Sequence, residues 1–106
     1  LLEEGLAGKV AVTGQDADLD ACKRILAGNQ VMTVYKPLKR LAGRAAELAV
    51  DLARRRPVVA RGGVENGFKL VPTVEEDVVA VDAANLGETV IRDGFHPAAL
   101  LSGAER

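Results

Sequence analysis

Apolar positions follow two different spacings along this chain, and the changes between them mark the predicted elements. Short runs rich in β-branched residues predict strands at residues 9–13, 30–35 and 78–81. Apolar residues three and four positions apart predict helices at about 16–27 and 37–55, and a shorter one at 85–91. A sequence of strand, helix, strand, helix, strand, helix is typical of an α/β fold with parallel strands and flanking helices.

The helix predicted at 37–55 has the clearest pattern. Pro37 suits the first helical turn, where its missing N–H is not needed, and the helix should end near Pro57, because the residue before a proline disfavours helical backbone. Polar residues fall mainly outside its apolar stripe. The stripe consists of Leu38, Leu41, Ala42, Ala45, Leu48, Ala49 and Leu52.

The other segments carry weaker signals. Asp16 or Asp18 can cap the first helix, and Gly28 stops it. Residues 1–6 are expected to form the last turn of a helix, Gly62 and Gly63 a turn, 68–71 a brief extended segment and 72–77 a crossing turn. The tail after residue 91 is expected to be loosely ordered, with His96 exposed.

Composition narrows the function classes. The 106 residues carry 14 Lys and Arg against 15 Asp and Glu, a net charge of −1, which lacks the basic excess typical of nucleic-acid binding. Cys22 is the single cysteine, so no internal disulfide can form, and its apolar neighbours indicate a buried core residue. No catalytic set of serine, histidine and aspartate, no Cys–His pair and no metal-ligand cluster stand out. We therefore expect neither an enzyme nor a bound cofactor.

Charged residues follow the first two predicted strands. Asp16 and Lys36 are 20 residues apart, one βα unit. Because the carboxyl ends of parallel strands line the ligand crevice in such sheets, both should lie on one rim. A carboxylate accepts hydrogen bonds from hydroxyls and an ammonium donates them, which suits a sugar. On spacing alone, however, an N-cap role is favoured for Asp16, and a solvated hinge lysine is the default for Lys36.

Several consecutive motifs resemble one family. Residues 15–19, 23–28 and 32–37 read QDADL, KRILAG and MTVYKP, and they are followed by NG at 66–67, VPT at 71–73 and TVIRDGF at 89–95. Together they resemble the carboxyl-terminal part of bacterial D-xylose-binding proteins, which deliver sugar to ATP-binding-cassette (ABC) importers. The resemblance implies sugar-binding roles for Asp16 and Lys36, with a weaker case for Gln15. It also implies that the amino-terminal lobe, most of a full binding protein, is missing.

The resemblance further implies a partial Rossmann-like lobe of a type I periplasmic binding protein. Residues 1–35 would belong to the carboxyl-terminal lobe. Residues 36–71 would form a hinge crossing and a helix that packs on the absent amino-terminal lobe, and residues 72–106 would return to the carboxyl-terminal lobe. Alone, the chain would expose the apolar stripe of residues 37–55, form a homo-oligomer through it, or fold it back differently.

The implied function is non-catalytic binding of a pentose, D-xylose, for import. Its partners would be the monosaccharide and the membrane permease of the importer, and its location periplasmic or extracellular, associated with the membrane through the importer. An alternative is a sugar-sensing or interaction module of the same fold that acts as an oligomer or with a separate first lobe. No helix-turn-helix of a sugar-responsive repressor is visible in the sequence.

Overall fold

The computed structural model describes residues 1–102, which form two compact units. The first unit comprises residues 1–36 together with the segment from Val78 onward, and the second is Pro37–Asp77. The strands are β1 (Thr13–Gln15), β2 (Met32–Tyr35), β3 (Gly62–Glu65), β4 (Leu70–Thr73) and β5 (Val79–Val81). The helices are α1 (Leu19–Leu26), α2 (Leu38–Ala53) and α3 (Ala98–Leu101), with a π-helical turn at Gly87–Ile91.

The first unit contains a three-stranded sheet in the order β1–β2–β5. Strands β1 and β2 are parallel, with Gln15 opposite Val34, which agrees with the expected α/β class. Strand β5 instead runs antiparallel to β2, with Val79 opposite Tyr35. A strand parallel to β2 would need a crossover connection that carries the chain back to the end of the sheet where β2 begins. Residues 37–77 form the second unit instead of such a crossover. Strand β5 therefore begins beside the end of β2 and runs in the opposite direction.

Helix α1 begins and ends where local signals predict. The Asp18 carboxylate accepts a 2.6 Å hydrogen bond from the Ala21 amide and caps the amino terminus. At the other end Gly28 has a φ of +75°, and the Asn29 amide donates to the Arg24 carbonyl, as in a Schellman motif. Short-range chemistry therefore sets both boundaries of this helix.

The first strand differs from the expectation. The predicted position, 9–13, is wrong, because β1 spans Thr13–Gln15, and the strand includes Gly14 and is exposed. In the sheet formed by the described residues, β1 is an edge strand that pairs with β2. Residues 1–6 agree with the expected helix end: the Leu6 amide donates to the Leu1 carbonyl, the Gly5 amide donates to the Leu2 carbonyl, and Gly5 has a φ of +64°, the Schellman pattern that closes a helix.

The core of the first unit lies between the sheet, α1 and the segment after β5. Leu101 is buried in this core, and Phe95 packs against it. The expectation of a loosely ordered tail is therefore wrong as far as residue 102, because its apolar side chains complete the core. The rest of the predicted tail, residues 103–106, lies outside the described residues. The buried cluster consists of Ala17, Cys22, Ile25, Tyr35, Val81, Leu86, Val90 and Leu101.

The second unit combines α2 with an antiparallel hairpin of β3 and β4. The turn predicted at Gly62 and Gly63 is wrong, since both lie in β3. A Cβ atom on Gly63 would approach the Leu70 side chain to 2.9 Å, so the hairpin favours glycine there. Asn66 forms the turn instead, and its side-chain oxygen accepts from the amides of Phe68 and Lys69.

The turn predicted at 72–77 does not begin at residue 72, because Pro72 and Thr73 lie within β4.

The second unit has no buried residue. None of residues 37–77 is buried, and Leu38, Leu41 and Leu52 of the apolar stripe on α2 are exposed. Among residues 1–102, no helix is both long and apolar enough to span a membrane.

Candidate functional site

Parallel pairing of β1 and β2 brings Asp16 and Lys36 together. Each residue directly follows its strand, and the ladder extends one step further, because the Asp16 amide donates to the Val34 carbonyl at 2.7 Å. The Lys36 ammonium donates to the Asp16 carboxylate, with 2.7 Å between Nζ and Oδ1. The two residues that the sequence predicts on one rim therefore form an ion pair.

The ion pair remains accessible from solvent. The side chain of Asp16 is 62% exposed and that of Lys36 is 40% exposed. An exposed pair of this kind stabilises a fold by only about 0.2–1 kcal/mol. The second carboxylate oxygen and the remaining ammonium hydrogens can still bond to hydroxyl groups, so the pair can act as a small hydrogen-bonding platform.

The structure also shows the positions of the other residues predicted at this rim, Asp18 and Gln15. Asp18, and not Asp16, caps α1, so the N-cap explanation of Asp16 does not apply. Gln15 is exposed at the end of β1, next to Asp16. Within residues 1–102 no hydrogen bond involves its side chain, so Gln15 is near the pair without being tied to it.

Backbone geometry after β1 directs the carboxylate. Asp16 has a φ of +80° and Ala17 one of +49°, the left-handed region that costs a residue with a side chain about 1–2 kcal/mol. Ala17 is fully buried, and its amide donates to the Thr33 hydroxyl of β2 at 3.2 Å. This turn links β1 to Asp18, the N-cap of α1, and it carries Asp16 at the point where the side chain meets Lys36.

His96 also contacts this turn, contrary to the expectation that it is exposed. It is half-buried, and its Nε2 lies 2.8 Å from the Ala17 carbonyl oxygen. Its ring packs on Phe95, with 4.6 Å between ring centroids, and Phe95 packs on Tyr35 at 5.2 Å. Sequence reasoning missed both Thr33 and His96. A threonine inside a buried strand was a signal for the first, but no local signal pointed to the second.

Cys22 is a buried residue of α1, as its helical spacing predicts. Burial raises the pKa of its thiol, and the nearby Asp18 carboxylate raises this pKa further. A buried, protonated thiol is a poor nucleophile and a poor metal ligand. Among residues 1–102, no group of three or more histidine, cysteine or acidic side chains could hold a metal ion.

Comparisons with known proteins show what this chain is similar to. No family model matches it. It is 54% identical over 96 residues to the D-xylose-binding periplasmic protein of Haemophilus influenzae and 50% identical over 96 residues to that of Escherichia coli. Each alignment covers 91% of this chain and 29% of the relative, so the chain spans less than a third of their length.

The fold has a counterpart among solved structures. A carbohydrate transporter solute-binding protein from Chloroflexus aurantiacus, solved in complex with D-glucose, matches with a TM-score of 0.78 and 37% identity. The match covers 84% of this chain and 26% of that protein. The chain therefore has the α/β fold of part of a solute-binding protein. Over 91% of its own length it is a relative of the bacterial D-xylose-binding proteins, which confirms the resemblance seen in its sequence.

Proposed function

We propose that this chain supplies one wall of the sugar site of a periplasmic binding protein that delivers a pentose, D-xylose, to an ABC importer. The observation that carries the proposal is the accessible pair of Asp16 and Lys36 at the carboxyl ends of two parallel strands. The relatives at 54% and 50% identity are D-xylose-binding periplasmic proteins, which supports the same ligand class.

The proposed mechanism is binding without catalysis. The Asp16 carboxylate accepts hydrogen bonds from sugar hydroxyls, while Lys36 donates to hydroxyl or ring oxygens. Gln15 contributes a third, weaker contact from the end of β1. Closure of two lobes around the sugar excludes water, which strengthens these bonds, and it presents the closed form to the membrane permease.

The second unit has a separate role in this proposal. Residues 36–71 form a hinge crossing and a helix that packs on an amino-terminal lobe, and the segment that begins at residue 72 leads back to the lobe of residues 1–35, whose compact unit the chain re-enters at Val78. Support comes from the second unit itself, in which no residue is buried. It contains an apolar groove of about 490 Å³, which is lined by Leu48, Leu52, Val58, Ala60, Pro72 and Val74.

The sugar site is tested in a chimera in which the aligned 96 residues replace the matching segment of the Haemophilus influenzae protein. Calorimetric titration with D-xylose should give saturable binding. Asp16→Asn and Lys36→Met should each weaken binding roughly 10- to 100-fold, the loss expected for a hydrogen bond to a charged group.

Two matched controls accompany these variants. Asp20→Asn removes an exposed carboxylate in the first turn of α1, and Lys39→Gln removes an exposed ammonium in α2. Both should leave the affinity unchanged. Equal weakening by Asp16→Asn and Asp20→Asn would show that net charge, and not the Asp16 site, governs binding. The same titration with D-glucose tests whether the site prefers a pentose.

A further inference from the structure

The turn that carries Asp16 depends on contacts from distant parts of the chain. Asp16 and Ala17 both have positive φ, a backbone conformation that persists only where surrounding contacts hold it. The Ala17 amide is held by Thr33. Its carbonyl oxygen receives two contacts, a weak one from the Cys22 thiol at 3.5 Å and a short one from His96 at 2.8 Å.

The contact from His96 has a defined polarity. A carbonyl oxygen can only accept, so His96 Nε2 must carry the proton that it donates. The two residues are 79 positions apart, so the bond ties the segment after the π-helical turn to the loop between β1 and α1. Both partners lie in the first compact unit.

Contacts on several sides hold the His96 ring in place. The backbone amides of Phe95 and His96 both donate to the Val90 carbonyl. The Phe95 ring lies between the rings of His96 and Tyr35. The Tyr35 hydroxyl also donates to Asp93 at 3.4 Å. Tyr35 is the last residue of β2 and directly precedes Lys36, so one aromatic cluster supports both members of the ion pair.

We propose that His96 is a positioning residue for Asp16. Its Nε2–H donates to the Ala17 carbonyl and so holds the left-handed turn that directs the Asp16 carboxylate toward Lys36. His96 itself does not touch the ligand. This inference rests on the proposed function, in which Asp16 is the sugar-contacting carboxylate.

The test uses NMR on the 106-residue chain and its variants His96→Gln and His96→Leu. Glutamine can present an amide donor near the position of Nε2, whereas leucine has none. In His96→Leu the three-bond coupling of Ala17 that reports φ should leave its left-handed value. Its amide should also exchange about five- to tenfold faster, as expected for one lost hydrogen bond. His96→Gln should restore both signals, while the Ile25 amide of α1 stays protected in every variant.

An unchanged Ala17 coupling and exchange rate in His96→Leu would overturn the proposal. If that variant does not fold, the tautomer of the His96 ring in the wild-type chain tests the proposal. Its ¹⁵N shifts should show a proton on Nε2, and a proton confined to Nδ1 would overturn the proposal, because Nε2 could then not donate. None of these signals requires sugar. A wild-type chain that shows them, but whose chimera binds no sugar, would retain the positioning role and reject the proposed function.

Discussion

At the residue scale, Asp16 and Cys22 occupy opposite environments within one βα unit. The Asp16 side chain is 62% exposed beside a lysine, where an ion pair contributes little to folding and is open to a ligand. Cys22 is fully buried, where its ionised form is disfavoured. The first arrangement suits binding, and the second contributes only to packing.

The raised pKa of Cys22 predicts a loss of stability in alkaline solution. Near the ordinary value of 9.0 the thiol of the unfolded chain ionises, while the buried thiol, with its raised pKa, stays protonated. The unfolded state then binds fewer protons, so the free energy of unfolding falls as pH rises through this range. Below it, both states are protonated and the thiol contributes no pH dependence.

Urea unfolding followed by the fluorescence of Tyr35, the single tyrosine in a chain without tryptophan, measures this effect. Cys22→Ala should lower the free energy of unfolding by about 1 kcal/mol at pH 7, as expected for a small cavity. The difference in free energy of unfolding between wild type and variant should narrow from pH 8 to pH 10. A gap independent of pH would contradict a raised pKa.

Several residues at the site could be predicted from sequence, and others could not. Asp16 and Lys36 are marked by their place after β-branched runs, and Cys22 by helical spacing. His96 contacts Ala17 across 79 positions, and no local pattern encodes a contact between residues so far apart. The resemblance extends through residues 89–95 but gave no role to the histidine that follows.

At the element scale, local chemistry fixed some boundaries and tertiary pairing fixed the others. Both ends of α1 follow from side-chain and glycine capping, and α2 from its apolar spacing and Pro37. The position of β1, the hairpin of β3 and β4, and the direction of β5 depend on which strands pair. Strand pairing joins segments far apart in sequence, so short apolar runs indicate strands without giving their partners.

Two glycines in different helical positions predict opposite responses to alanine. Gly28 follows α1 with a φ of +75°, and an alanine there should destabilise the first unit by about 1 kcal/mol. Gly43 lies inside α2, where an added Cβ meets nothing within 4 Å, so alanine should stabilise that helix by up to about 1 kcal/mol.

Tyr35 fluorescence during urea unfolding reports the first change, because Tyr35 is buried in the first unit. Far-UV circular dichroism reports the second as increased helix content. If Gly28→Ala were neutral, the left-handed cap at the end of α1 would not contribute to stability.

At the scale of the whole molecule, burial is distributed unequally between the two units. The first has a connected apolar core, whereas residues 37–77 contain no buried side chain. The exposed apolar residues of the second unit include Leu38, Leu41, Leu52, Val59 and Phe68. Amphipathic helices gain most of their stability from packing the apolar face, and within residues 1–102 no residue of α2 is buried.

This inequality predicts that α2 opens more readily than the first unit. In hydrogen exchange on the 106-residue chain, the amides of α2 should exchange much faster than those of β2 and α1, although α2 is the longest helix in the described part of the chain. In the chimera with the remaining portion of the Haemophilus influenzae relative, α2 should become protected, because the proposed lobe covers its apolar face. If α2 is already slow in the isolated chain, a dilution series separates two causes. Protection that falls on dilution would identify a homo-oligomer through this helix, and protection independent of concentration would show that the helix is stable without cover.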